Sequence, residues 1–332
     1  MFKKIKNKIR LKELYYKEKL GILKPKEIII DIAAYCNAEC PFCPRIYMPE
    51  ERSHGYMKVE LFKEILKKAK DLNINKMRLY STAEPLLHPK FSQIISIAKE
   101  MDFFIEVSTN ASMLHKYHEI LLKVDVLQFS IEGWDKESYE KYRIPLKFEK
   151  IYNNIKSFSD YAKNKKVRPK IMCNLLLTKK TEVKKYLELW GEYVDKIAVN
   201  FMSQATLYDN KKFISKKNNE IKDEYYSFRK IKSEFMCSYP FTSLVVSYDG
   251  KISLCCSDFF SSLDLGYIDE SIKSIWNNKE RKKIREEFYS QKLDKCSGCT
   301  IFHKPFDKDK EKIKSYILSL DSKHSNKLVF GF

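Results

Sequence analysis

The chain has 332 residues, of which 44% are hydrophobic, 14% aromatic and 32% charged, with a formal net charge of +19. That is enough apolar material for one large domain and a small satellite, and it excludes a disordered or collagen-like chain. No apolar run approaches the ~18 residues of a membrane span, because Ile28–Ile30 is closed at once by Asp31.

Residues 1–25 read as a basic amphipathic helix with Ile5, Ile9, Leu11 and Leu14 on its apolar face, stopped by Pro25. No apolar stretch follows the basic start Met1–Arg10, so it is not read as a secretory signal, and the expected location is the cytoplasm. Residues 26–208 alternate two patterns. Strand-like runs fall at Glu27–Ala33, Lys76–Ser81, Phe103–Ser108, Val126–Ile131, Lys170–Leu177 and Lys196–Phe201. Helical spacing falls at Val59–Asp71, Phe91–Glu100, Ser112–Lys123, Phe148–Lys163 and Thr181–Tyr193. The alternation predicts an α/β fold with a parallel sheet. Six units are too few for a closed eight-fold barrel; a partial barrel or an open doubly wound sheet fits. Residues 209–235 read as a polar, Lys-rich linker. Residues 236–305 hold a second cysteine group and a hairpin turn at Asp249-Gly250. Residues 306–332 form a Lys-rich tail.

Only nine of the 63 basic residues are Arg, and the lysines are spread along the chain. Recognition of phosphate and bases favours Arg's planar fork. The charge therefore reads as a solvated surface, and a nucleic-acid-binding or tRNA-modifying protein is an alternative resting on charge alone.

In a parallel sheet, functional groups collect at the carboxyl ends of the strands. Those ends carry Cys36, Cys40 and Cys43, then Ser81-Thr82-Ala83-Glu84-Pro85, Ser108-Thr109-Asn110, Ser130-Ile131-Glu132-Gly133, and Asn174. Nine cysteines in a reducing compartment point to metal binding or chemistry rather than disulfides. Cys36, Cys40 and Cys43 are spaced C-x3-C-x2-C on one loop. Three thiolates can hold three corners of a cubic iron–sulfur cluster and leave one iron open. A structural zinc site wants a fourth ligand, for which His54 is the local candidate.

This motif, with Phe42 before its last cysteine, resembles the signature of the radical S-adenosylmethionine (SAM) enzymes over roughly residues 26–205. The resemblance implies a partial (βα)6 TIM-like barrel and a [4Fe–4S] cluster whose open iron chelates SAM. It further implies one-electron cleavage of SAM to a 5′-deoxyadenosyl radical that takes hydrogen from a substrate, fed by a reducing donor such as flavodoxin or ferredoxin. It assigns cofactor-binding positions to Phe42, Glu84, Asn110, Ser130 and Arg143. Glu84 matches the acidic residue of a Gly-Gly-Glu motif that holds the methionine amino group, although Thr82 and Ala83 replace both glycines. Arg143 matches an arginine that grips the SAM carboxylate, and Glu132 stands where an Asp is usual.

Cys237, Cys255 or Cys256, Cys296 and Cys299 form the second group. Spacing alone suits a zinc ribbon as well as an iron–sulfur cluster. The pattern with Gly250 and Trp276 resembles the SPASM/twitch auxiliary-cluster domain, in its short form with one auxiliary [4Fe–4S] cluster held by Cys237, Cys255, Cys296 and Cys299. Cys255 is favoured over Cys256, which points to the opposite face if the strand continues. A cluster saturated by four thiolates cannot chelate substrate, so electron transfer is its expected task. The expected reaction is dehydrogenation of a sugar- or cyclitol-like molecule. The alternatives are maturation of a ribosomal peptide and a non-catalytic electron carrier.

Overall fold

The sequence alternation becomes a mostly parallel sheet in a computed structural model that describes residues 2–43, 45, 48, 50, 54–81, 83–201, 229–230, 237–259, 261, 263, 265–290, 303–304, 307–320 and 323–330. Strands β1 (Glu27–Ile30), β2 (Lys76–Leu79), β3 (Phe104–Thr109), β4 (Val126–Ser130), β5 (Lys170–Leu177) and β6 (Lys196–Phe201) each pair parallel with the next. Strands β7 (Arg229–Lys230) and β10 (His303–Lys304) form a separate antiparallel pair. Strand β8 (Ser243–Val246) adds parallel to β1, and β9 (Ile252–Ser253) folds back on β8. Strand β11 (Leu328–Phe330), from the tail that carried no sequence signal, adds parallel to β6. The nine-stranded sheet runs β11-β6-β5-β4-β3-β2-β1-β8-β9, and its end strands do not pair among the described residues. It is an open partial barrel.

The helices cover one face. Phe62, Ile65 and Leu66 from Val59–Asp71, Ile94 and Ile95 from Phe91–Glu100, Ile155 and Phe158 from Phe148–Lys163, and Tyr186 and Trp190 from Val183–Trp190 are all fully buried. They form one core with Ile28, Met77, Ile105, Leu127 and Ile171 of the strands. Each such side chain contributes about 1.5–3 kcal/mol on leaving water. Strand β5 shows the division of faces: Ile171, Cys173, Leu175 and Leu177 are buried, while Met172, Asn174 and Leu176 alternate with them half-buried on the other side. That second face is the concave one. Near its amino end Arg78 lies 3.1 Å from Glu27 and 3.3 Å from Glu106, and Lys76 lies 3.3 Å from Glu27.

Two local expectations change. The first helix spans Phe2–Lys19 and ends before Pro25, where Gly21 takes the left-handed backbone (φ 68°) that closes many helices. Ile9 on its expected apolar face is 61% exposed, whereas Leu14 is buried. The side chains of Ile5 and Leu11 lie outside those described. The expected helix Ser112–Lys123 is broken into a 3-10 turn Leu114–Lys116 and a short helix His118–Leu121. There Asn110 Oδ1 accepts Ser112 N–H at 3.0 Å, and Asn154 Nδ2 donates to the carbonyls of Ala111 and Ser112. The Asn110–Ser112 bond is local and competes with helix formation, and the Asn154 bonds take carbonyls that a helix would use. The expected linker 209–235 lies outside the described residues apart from β7.

Candidate cluster and cofactor site

The loop after β1 leaves the sheet at Asp31, whose N–H is taken by the Val246 carbonyl of β8. Cys43 N–H donates to the Cys40 carbonyl at 2.9 Å, a turn that gathers the last two thiols. Backbone N–H groups of Ala38 and Arg45 donate to the sulfurs of Cys36 and Cys43, and Arg143 Nη1 lies 3.6 Å from Cys40 Sγ. Burial pushes the free thiols up, Cys36 to about 11 and Cys40 to about 12, with Cys43 also raised. A coordinating metal deprotonates a thiol outright. The three sulfurs lie within electrostatic reach of one another. Among the described residues, no three His, Cys, Asp or Glu side chains converge on a single ion. Three soft thiols on one loop, supported by N–H donors and a guanidinium, fit three corners of a multinuclear iron–sulfur cluster.

Glu84 follows β2 and is buried. Its N–H donates to the Tyr35 carbonyl at 2.9 Å, which ties it to the residue before Cys36. Its carboxylate accepts from Thr109 Oγ1 at 2.7 Å, Leu86 N–H at 3.1 Å and Asn110 N–H at 2.7 Å. Burial outweighs these bonds and pushes the carboxyl up to about 7. An arriving ammonium returns such a group to its ionised form. Asn110 Nδ2 donates to Asn37 Oδ1 at 2.9 Å and reaches Cys36 Sγ at 3.9 Å. Asn37 Nδ2 donates in turn to Ser112 Oγ. The structure thus joins Cys36, Glu84 and Asn110 in one network. Thr109, Asn37 and Ser112, which support it, carried no signal in the sequence beyond their place beside the motifs.

Arg143 is already engaged. Its Nε pairs with Glu132 Oε2, its Nη1 faces Cys40, and its plane lies 5.4 Å over the Phe42 ring. Glu132 and Arg143 are both buried. The Glu in the usual Asp position therefore reaches far enough to hold the arginine expected to grip a carboxylate. Arg143 is delivered by the short helix Lys136–Tyr142, which a capping box between Asp135 and Ser138 starts. Phe42 packs with Tyr142 at 6.5 Å. Ser130 Oγ bonds Ser108 Oγ at 3.1 Å across β3 and β4 and joins neither group.

In the second group, Cys237 and Cys255 are buried and electrostatically coupled. Burial pushes the Cys255 thiol far up. The adjacent Cys256 acts on Cys255 more strongly still, but its thiol also bonds the Tyr239 side chain, and its carbonyl accepts Ser81 Oγ at 3.3 Å. Cys296 and Cys299 lie outside the described residues. Two soft, buried, neighbouring thiols fit half of a four-cysteine cluster site.

Two family models match: the radical SAM superfamily over residues 30–175 and the SPASM iron–sulfur cluster-binding domain over residues 237–300, together more than half of the chain. A tungsten-containing aldehyde ferredoxin oxidoreductase cofactor-modifying protein of Pyrococcus furiosus is 30% identical over 111 residues, 32% of this chain and 31% of that protein. The chain thus matches under a third of that relative's length. In fold it is similar to Streptococcus suis SuiB bound to precursor peptide SuiA, with a TM-score of 0.61 and 16% identity, covering 88% of this chain and 73% of SuiB. It is also similar to BtrN in complex with AdoMet and 2-DOIA, with a TM-score of 0.50 and 16% identity, covering 83% and 93%.

Proposed function

The chain belongs to the radical SAM superfamily and carries a SPASM iron–sulfur domain, and from that premise we propose that it removes two electrons and two hydrogens from a sugar- or cyclitol-like hydroxyl. Membership brings a [4Fe–4S] cluster and SAM, and the SPASM domain brings auxiliary iron–sulfur binding. When bound, these groups supply one-electron cleavage of the SAM sulfonium and an acceptor for the electron left on the substrate.

The chain's own residues take defined parts in this reading. Cys36, Cys40 and Cys43 hold the first cluster. Glu84 receives the SAM ammonium, and the network through Asn110 keeps its carboxylate beside Cys36. Arg143, fixed by Glu132 and Phe42, places a cation against Cys40 to meet a carboxylate. Ser130 lines the concave face one strand further on. Cys237 and Cys255, with Cys296 and Cys299, hold one auxiliary cluster. A flavodoxin or ferredoxin supplies the electrons, and the cytoplasm is the compartment that suits them.

One observation carries the oxidative reading: the sheet itself connects the two cysteine groups. Strand β8 pairs with β1, and Ser81 at the end of β2 bonds the carbonyl of Cys256. An electron leaving a substrate on the concave face therefore has a short route to the second centre. The test is anaerobic incubation with SAM, a strong reductant and a panel of cyclitols, amino sugars and short peptides. One 5′-deoxyadenosine per product two mass units lighter supports the reading; a product heavier by sulfur or methyl overturns it. The peptide-bound state of the similarly folded SuiB favours a second reading, oxidation of a peptide, which the same panel detects.

A further inference from the structure

Arg281 lies on the helix Lys279–Ser290 and is completely buried. Its Nη2 donates to the Ser253 carbonyl at 3.0 Å, two residues before Cys255, and its plane lies 4.7 Å over the Trp276 ring. Its Nε and Nη1 have no hydrogen-bond partner among the described residues. Arg285 one turn on makes the contrast. It is stacked on the same indole at 4.4 Å, but it donates to the Pro240 and Trp276 carbonyls and is ion-paired with Glu18 at 2.9 Å. One buried arginine is bonded at all three nitrogens; its neighbour is a cation with two donors unmet among the described residues.

A buried charge without a partner is among the costliest features a fold can hold, and buried donors left unmade are rare. The Asp258 carboxylate attracts Arg281 but accepts Leu254 N–H at 3.1 Å and does not bond Arg281 Nε or Nη1. The Cys255 thiol, when ionised, attracts Arg281 more strongly than Asp258 does. Burial and the like charge of Arg285 pull the Arg281 guanidinium down to about 9, while Cys255 and Asp258 act in the opposite sense.

We propose that Arg281 is the buried counter-charge of the auxiliary iron–sulfur cluster, offering its unpartnered Nε–H and Nη1–H to the cysteinyl sulfurs and raising the cluster's reduction potential. The inference rests on the assignment of Cys237 and Cys255 to that cluster. A cubane held by four thiolates is an anion, and one-electron reduction adds a further negative charge. A fixed cation and N–H donors beside its sulfurs stabilise the reduced form more than the oxidised one. Arg281 is thus a positioning residue for electron acceptance and touches no substrate.

The test uses the full-length chain with both clusters loaded, and the same chain with Cys36, Cys40 and Cys43 replaced by alanine so that only the auxiliary signal remains. Potentials are read by electron paramagnetic resonance during anaerobic redox titration. R281M is expected to lower the equilibrium constant for auxiliary-cluster reduction at least tenfold, a negative shift of ~59 mV for one electron. R281K, which keeps the charge, is expected to lie closer to the parent. R281Q, neutral but able to bond Ser253, backs up the Met variant should that one not fold. A second readout separates charge from packing: R281M is expected to shed iron faster without losing stability in the cluster-free state. Unchanged potentials in the neutral variants overturn the inference, as does equal destabilisation of loaded and cluster-free protein. A chain with no second cluster overturns it too, while SAM cleavage at the first centre still stands. Failure of the dehydrogenation reading shows separately, in the product mass.

Discussion

Arg143 Nη1 stands 3.6 Å from Cys40 Sγ while its Nε is held by the buried carboxylate of Glu132. The side chain that the motif matches to a ligand-gripping arginine is thereby built into the wall of the cluster loop. Arg143 and Glu132 are 10% and 2% exposed, so the pair is worth far more intact than half-removed.

R143M is predicted to destabilise the cluster-free protein by about 3–5 kcal/mol, because it strands the Glu132 charge in the interior. The double variant R143M/E132L is predicted to recover most of that loss. Urea unfolding of the four corners of this cycle checks it; a loss below ~1 kcal/mol for R143M would mean that the pair is not coupled.

Glu84 predicts a pH dependence. Burial raises its folded-state pKa to about 7 from an ordinary carboxylate value, so the native state holds the proton more tightly than the unfolded chain. Its stabilising contribution is full below the unfolded pKa, near 4.5, and is lost as pH rises through about 7. Glu132 is shifted in the same direction by burial. Across that window the cluster-free wild type is predicted to lose stability relative to E84Q, by up to about 1.4 kcal/mol per pH unit. Denaturant unfolding at a series of pH values measures this, and parallel curves for the two proteins would contradict it.

Asn110 acts through its side chain on Asn37 and Cys36, whereas its backbone N–H holds Glu84. N110A is therefore predicted to keep its iron while binding SAM about tenfold more weakly, roughly 1.4 kcal/mol. Equilibrium dialysis with SAM on the reconstituted protein gives the answer; unchanged affinity would remove Asn110 from the site.

Much of the architecture was written in the sequence. The β-branched runs from Glu27 to Phe201 and the helical spacing of Leu61, Ile65 and Leu66 predicted six parallel units, because a buried parallel sheet and its covering helices leave periodic apolar signals, although Phe62 is fully buried where Leu61 is only half-buried. The three-thiol loop was equally plain, since short spacing puts its donors together before any tertiary contact forms. What stayed hidden depends on distant pairing. Leu328–Phe330 joins β6, and Ser243–Val246 joins β1, through backbone bonds that no local pattern announces. The Glu132–Arg143 pair was hidden for a related reason: a motif names residue types, but only the fold shows which partner is already taken. Ile9 misled because helical periodicity marks a face whether or not anything packs on it.

C255A is predicted to separate the two halves of the proposed reaction. The variant should still convert SAM to 5′-deoxyadenosine but give no oxidised product, because the electron on the substrate loses its acceptor. Parallel quantification of nucleoside and product by mass spectrometry checks this; full product formation would assign the oxidation elsewhere.

The central claim is that Cys36, Cys40 and Cys43 hold the cluster that cleaves SAM. The decisive measurement is iron content with SAM cleavage for the anaerobically reconstituted wild type and its C36A/C40A/C43A variant. The wild type is predicted to hold about eight irons, about four per cubane, and to release 5′-deoxyadenosine under reduction. The variant is predicted to hold about half the iron and release none. A variant that still fragments SAM would contradict the account.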